Sequence, residues 1–367
     1  MLLRMNPRRR RILMTVDAIG GIWQYALALT KQLVAAGDFV ILAGLGPPPT
    51  SEQKRQAKSV APLEWLRTPP DWIASREEEL ESLNSELAHL IDEHAIELVQ
   101  VNEPGQAADL VVPCPLVAVS HSCVGTWFHT VRGAQPPHNW AWHEKRTRIG
   151  MNRADLLIAP SASHATTLAK CYAPLGRVIV VHNATTPCAE VEKRDDIVFA
   201  AGRWWDDGKN GRVLDGAALH THWPVFAAGA TTGPNGDSIV FRNVVSLGPI
   251  SNTETRNLAA RCGIFVSPSI YEPFGLAALE AAASGTPLVL ADIPTYRELW
   301  SDAAIFFPPH DPASLAKELN RLAADDSRRR ELGAAARRRS RSYALQKQAT
   351  TMRSAYDAAA EIFAGRA

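Results

Sequence analysis

A chain of 367 residues with 46% hydrophobic and 21% charged side chains is too long for one small core and too apolar for disorder, so two globular domains are expected. Its net charge of +1 argues against nucleic acid as the main ligand, a partner that selects strongly basic domains. No run approaches the roughly 18 consecutive apolar residues of a membrane span, and Cys114, Cys123, Cys171, Cys188 and Cys262 are scattered with no C-x-x-C pair. Reduced thiols in the cytoplasm are the expectation, and the common zinc and redox pairings are excluded.

The opening residues MLLRMNPRRRRILMTV lack a signal-peptide layout, because the basic run follows only two leucines, so no export is expected. Short runs of Val, Ile and Leu then alternate with helical patterns: RILMTV, FVILA, ELVQV, LVAVS, DLLIA and VIVV, followed by IVFAA, VVSLG, IFVSPS and PLVLA. Continuous apolar runs need burial on two faces, so these are strands of parallel sheets covered by helices. Leu80, Leu83, Leu87, Leu90 and Ile91 stand at helical spacing with acids between them, predicting one amphipathic surface helix over 75–94. Periodicity is lost between His182 and Arg194, which divides the chain into α/β halves at 1–185 and 186–344. The tail from Tyr343 to Phe363 reads as another helix, within a last unit of 345–367. Between Arg321 and Arg353 ten Lys or Arg stand against three Asp or Glu. That run is either a solvated helix face or, through Arg328–Arg341, a docking surface for an anionic membrane.

The first strand ends in DAIGGIWQYALALTKQL, so Gly20 and Gly21 sit where a strand turns into a helix. Without Cβ atoms they admit a ligand to the backbone, and the helix N-terminus offers free N–H groups to a phosphate. A tight turn alone would satisfy the same pattern. Neither this segment nor GLGPPP at Gly44 has the G-x-G-x-x-G spacing, so a nicotinamide oxidoreductase loses support. SPSIYEPFGLAALEAAASGTPLVLADIPTYREL is more informative. Glu272 follows a strand, Pro273, Phe274 and Gly275 form a turn, and Leu276 to Ala283 open a helix that carries Glu280. Beside an anionic diphosphate, two carboxylates on one sheet edge would accept hydrogen bonds from hydroxyls, as on a sugar and a ribose. The backbone N–H groups of the turn would face the negative charge.

EPFGLAALEAAASGTPLV resembles the Glu, seven residues, Glu signature of the retaining glycosyltransferases of family 4, whose fold is GT-B: two Rossmann-like domains with parallel sheets facing a central cleft. The glycine pair, AGRWWDDGKN and SDAAIFFPPHDPASLAKEL fall in the family's order, so the resemblance covers nearly the whole chain. It implies that Glu280 binds the donor ribose, that Glu272 with the amides of Phe274 and Gly275 holds the transferred sugar, and that Arg203 and Lys209 grip the diphosphate. Two fixed cations stabilise charge on a departing diphosphate. Gly20, Gly21, Ile250, Pro273 and Leu276 join this donor-binding set. His121, after LVAVS, emerges at the carboxyl edge of the sheet and matches the family's histidine near the reacting sugar; a structural hydrogen-bonding histidine is the other reading.

Asn102 and Glu103 in VQVNEP, with Trp23 and Trp127 read as loop residues beside the site, are acceptor-side candidates, against core packing for the tryptophans. No D-x-D triplet occurs, so no metal is expected, nor any cofactor beyond the nucleotide-sugar co-substrate. The resemblance thus implies a hexosyltransferase moving a sugar, UDP-sugars being favoured, to a glycan or lipid-linked acceptor in cell-surface polysaccharide or glycoconjugate synthesis. It also implies retention of configuration, by a front-face path in which the leaving phosphate takes the acceptor proton, and a last helix that crosses back to the first domain. A sugar-nucleotide epimerase on the same fold and a non-catalytic membrane-docked scaffold are the rivals. One departure from the family is visible. GRVLDGAALHTHW replaces a long regular helix after Lys209, which leaves the geometry around that lysine open.

Overall fold

A computed structural model describes residues 9–186, 191, 193–234 and 236–366. Cys188, the first eight residues and part of the 182–194 segment lie outside the described residues. The first sheet holds β1 (Arg11–Asp17), β2 (Phe39–Leu45), β3 (Leu63–Trp65), β4 (Leu98–Val101), β5 (Leu116–Val119), β6 (Leu156–Ala159) and β7 (Val178–Val180). All pairs are parallel, in the order β3-β2-β1-β4-β5-β6-β7. The second sheet holds β8 (Asp195–Ala201), β9 (Val225–Ala228), β10 (Val245–Gly248), β11 (Cys262–Ser267), β12 (Leu288–Ala291) and β13 (Ala304–Phe307), parallel in the order β10-β9-β8-β11-β12-β13.

Helices cover the faces: α1 (Gly21–Ala35), α2 (Ser51–Lys58), α3 (Leu83–Glu93), α4 (Val124–Trp127), α5 (Ala141–Arg153) and α6 (Ala162–Tyr172) around the first sheet. Around the second lie α7 (Gly211–Ala218), α8 (Asn252–Arg261), α9 (Leu276–Ala283), α10 (Pro294–Trp300), α11 (Pro312–Ala324) and α12 (Asp326–Ser340). The last helix, α13 (Leu345–Ala364), packs against α1, β5 and β6 of the first sheet.

The apolar runs form strands because helices remove water from both faces; every residue of β4, β5, β6 and β12 is buried. The expected single helix over 75–94 is two pieces: a 3-10 turn at Glu77–Leu80, then α3. Glu77, Glu78 and Glu81 would place like charges three and four residues apart on a continuous helix. Leu80, Leu83, Leu87, Leu90 and Ile91 are nonetheless all buried. Two chain crossings join the halves side by side, since Thr185 bridges Ala344 and its N–H donates to the Tyr343 carbonyl at 3.3 Å. Consequently the carboxyl ends of both sheets open on one cleft.

Candidate active site

Arg203 and Lys209 lie on a turn that its own side chains shape. The turn leaves β8 with the Gly202 N–H on the Ala228 carbonyl (3.0 Å). Buried Trp204 anchors it by donating Nε1–H to the same carbonyl (2.9 Å). Asp206 Oδ1 accepts from the Gly208 N–H at 2.8 Å. Asn210, at φ 56°, donates Nδ2–H to the carbonyls of Pro268 and Pro309 (3.0 and 2.7 Å), tying three loops together. The shortened segment after Lys209 is the eight-residue α7. Lys209 Nζ meets Glu272 Oε2 at 2.5 Å, both side chains largely enclosed.

Gly275 opens α9 at φ 91°, and a Cβ there would lie 2.9 Å from the Tyr296 ring, so only glycine fits this turn. Tyr296 in turn bonds Ser267 through its hydroxyl (2.6 Å). Phe274 is buried and packs its ring against Tyr343 and His182. Glu280 sits on α9 facing α8: burial raises its carboxyl above the ordinary range, against the pull of Arg256 and a bond from Asn252. Ile250, half-buried on the second core, immediately precedes the Ser251 cap of α8.

Across the cleft, Gly20 takes φ 79°, and Arg203 Nη1 is 3.9 Å from where its Cβ would lie; the same position on Gly21 is 3.3 Å from Leu276 Cδ1. The glycine turn, Arg203 and Leu276 are therefore brought together. His121 follows β5 with Nε2 3.3 Å from Asn102 Oδ1 and the Tyr25 ring edge-on at 4.3 Å. Asn102 is itself fixed, donating Nδ2–H to the Thr15 carbonyl (2.6 Å) and accepting from Gln100 Nε2 (2.9 Å). Burial, with His164 nearby, pushes His121 down to about 3, so the ring is neutral at physiological pH.

Two tryptophans depart from expectation. Trp23 is no loop residue beside the site: it lies in the first turn of α1, 1% exposed, on the stripe with Ala26, Leu29 and Leu33 that faces the sheet. Trp127 is in α4, and its Nε1–H donates to Asp206 Oδ1 (2.8 Å) on the turn that carries Lys209. Arg132 stacks over Trp127 at 5.0 Å and pairs with Asp207 at 2.5 Å, completing a hook between the halves. A cavity of about 210 Å³ opens beside Glu272, with His164, Thr167 and Lys170 on one wall and Tyr271, Pro273 and Thr295 on the other. The arginine run is largely occupied locally: Arg329 lies over Trp223 at 4.8 Å, Arg339 donates to the Leu299 carbonyl, and Arg328 pairs with Glu331. Arg338 and Arg341 are exposed.

Sequence reasoning missed Asp17, at the end of β1, which burial pushes up to about 6 against the Ile19 N–H and Arg203. Its signal was available as the first residue of DAIGG. Asp71 and His143 gave none, because the contact that pairs them joins the loop after β3 to helix α5, distant in sequence.

Two facing parallel-sheet halves with cations on one wall define a GT-B architecture. The descriptions of two family models match: Glycosyltransferase Family 4 over residues 19–187 and Glycosyl transferases group 1 over 241–339. The chain belongs to this family. It is 33% identical over 110 residues to the D-inositol 3-phosphate glycosyltransferase of Streptomyces bingchenggensis (29% of this chain, 24% of that one). It is 38% identical over 102 residues to the glycogen synthase of Mycobacterium tuberculosis (27% and 25%). The match thus spans about a quarter of those relatives' length. Among solved structures, the sucrose-phosphate synthase of Thermosynechococcus elongatus superposes with a TM-score of 0.78 at 19% identity, covering 97% of this chain and 100% of that one. HepE of Anabaena in complex with UDP-glucose does so at 0.73 and 17%, covering 94% and 98%. No described helix is long and apolar enough to cross a membrane.

Proposed function

We propose that this protein is a retaining, metal-independent glycosyltransferase that moves a sugar from a nucleotide-diphosphate donor, UDP-linked by preference, to a glycan or lipid-linked acceptor. The observation that carries this is the donor wall: Arg203 beside Gly20, and Lys209 held by Glu272 at the mouth of the Gly275 turn. Residues 186–344 take the donor and 1–185 the acceptor, with 345–367 returning to the acceptor half. Arg203 and Lys209 stabilise charge on the departing diphosphate, Glu272 and the Phe274 and Gly275 amides hold the sugar, and Glu280 takes the ribose. No side chain is assigned as nucleophile; the leaving phosphate takes the acceptor proton on the same face, beside neutral His121. The UDP preference is supported by the UDP-glucose complex of the Anabaena neighbour.

A thermal-shift panel of UDP, GDP and ADP tests the donor, since ligand binding raises stability by mass action. UDP is expected to raise Tm most. Lys209→Ala is expected to lose about 100- to 1,000-fold in turnover, as when one fixed charge-stabilising group is removed. Turnover within a few-fold of wild type would sink the reading, and conversion of donor to an isomer without acceptor would make the protein an epimerase. Exposed Arg338 and Arg341 support a contact with anionic membranes, which predicts liposome flotation at low salt that is lost at high salt.

A further inference from the structure

The two adjacent tryptophans of AGRWWDDGKN part company in the fold. Trp204 is buried in the second core, whereas Trp205 stays half-buried with its ring beside the Arg203 guanidinium, 5.7 Å from Cζ to the ring centroid. The chain builds a seat for that ring. The Trp204 N–H donates to the Ala230 carbonyl at 2.9 Å, and a Cβ on Gly229 (φ 123°) would fall 1.9 Å from the Gly202 carbonyl oxygen. The segment leaving β9 therefore runs directly against the turn leaving β8. It then doubles back as a tight hairpin, with the Ile239 N–H on the Thr231 carbonyl (2.9 Å) and the Gly233 N–H on the Asp237 carbonyl (2.8 Å). Gly233 meets the indole: a Cβ there would fall 2.6 Å from Cδ2 and 2.7 Å from Cε3 of Trp205, so the close approach requires glycine.

Arg203 and Lys209 are thus held by different means. Lys209 is paired with the Glu272 carboxylate at 2.5 Å. Arg203 has the Trp205 ring within the roughly 6 Å over which an indole face attracts a guanidinium, and a carboxylate only at longer range, Asp206 Oδ2 lying 3.7 Å from Nη2. Asp206 is engaged elsewhere as well, since its Oδ1 accepts from Trp127 Nε1–H and the Gly208 N–H. An uncharged ring fixes a cation without cancelling its charge or taking up its five N–H donors. The Arg203 side chain is 42% exposed, and an unheld arginine would give up its rotamer freedom on gripping a phosphate, which weakens binding. Resting on the reading of Arg203 as a diphosphate ligand, we infer that Trp205, seated on Gly233, is the positioning residue that orients Arg203 for the donor diphosphate before the donor arrives.

The ratio of the UMP to the UDP dissociation constant, measured by calorimetry on the full chain, reads the grip on the outer phosphate. Trp205→Ala is expected to lower this ratio about three-fold or more, the scale of one exposed cation–π contact. Gly233→Ala should lower it likewise, by displacing the indole while Trp205 and Arg203 are both present. Trp205→Phe, which keeps an aromatic ring, is expected to retain at least half of the ratio. Once Arg203 is replaced by Ala the loss has already occurred, so adding Trp205→Ala should change the ratio no further. UDP and UMP weakened equally by Trp205→Ala, or a further fall of the ratio in the double variant, overturns the proposal. A second readout needs no nucleotide: the Arg203 Nε–H resonance, identified as the signal lost in Arg203→Lys, should move in ligand-free Trp205→Ala, and an unmoved signal is equally fatal. If Arg203→Ala keeps the wild-type ratio, or wild type binds neither nucleotide, the donor reading falls and that resonance alone decides whether Trp205 positions Arg203.

Discussion

His164 illustrates how a single buried group couples this fold to pH. It is 2% exposed beside Ser120 Oγ (3.1 Å), and burial pushes it from 6.5 down to about 4. Between those values the unfolded chain takes up a proton that the folded chain refuses, so this contribution to stability is full above 6.5 and is lost as pH falls toward 4. His121 acts in the same direction. Asp17 opposes both: with its pKa raised to about 6, the folded chain holds the proton, and the stability from that group is lost as pH rises through 6. Glu103 is raised in the same sense. The net pH profile therefore mixes signs, and a difference measurement separates them. His164→Gln is expected to be less stable than wild type at pH 7.5, with the gap narrowing by pH 5, in urea melts at both values. A gap independent of pH would show that His164 acts by packing alone.

Elements meet across the cleft through side chains whose role is invisible in any one segment. Glu298 on α10 accepts from the first two amides of α6, Ala162 and Ser163 (2.9 and 2.7 Å). Burial would raise this carboxyl, but those amides and His182 hold it below the ordinary range. The Trp127 hook is a second such contact, and its Asp206 acceptor also shapes the Lys209 turn. A hydrogen bond to a carboxylate contributes about 1.5–3 kcal/mol. Trp127→Phe keeps an aromatic ring for Arg132 but removes the indole N–H together with its five-membered ring. It is expected to lower kcat/KM for the donor by roughly ten-fold with Tm within about 2 °C of wild type; an unchanged kcat/KM would refute the coupling.

These contacts also explain what the sequence could and could not disclose. The Gly275 turn was legible because Glu272, Gly275 and Glu280 lie within nine residues, on one strand–turn–helix unit whose spacing is local. The buried strands were legible for the same reason. Edge strands β7 and β10 were read although partly exposed, whereas β3, three residues with Glu64 at the centre, and β13, a four-residue run, are too short to show a period. Trp127 and Trp23 look alike in sequence, two tryptophans shortly after a strand. Only the direction of each helix face sends one to the Lys209 turn and the other to the core.

At the scale of the whole molecule, the last helix is part of the first domain's core and reaches the cleft. Ala349, Met352, Ala355, Tyr356 and Ala359 pack in the same core as Trp23 and Leu29 of α1. Tyr356 Oη donates to Gln100 Oε1 (2.6 Å), Gln100 Nε2 donates to Asn102 Oδ1, and Asn102 Oδ1 lies against His121 Nε2. An unbroken chain of polar contacts thus runs from α13 through Gln100 and Asn102 to His121, the side chain nearest the proposed reaction. Packing and hydrogen bonding on α13 can be separated by two variants. Met352→Ala leaves a cavity in the core and should cost about 2–5 kcal/mol without disturbing the polar chain, so Tm falls and kcat at 20 °C is kept. Tyr356→Phe leaves Gln100 Oε1 without its donor, a cost of about 1–3 kcal/mol, and loosens Asn102 beneath His121. Its kcat should drop several-fold with donor KM unchanged, although its Tm falls less than that of Met352→Ala. If kcat followed Tm across both variants, α13 would act as packing alone. If it falls only for Tyr356→Phe, the last helix positions the acceptor side of the site.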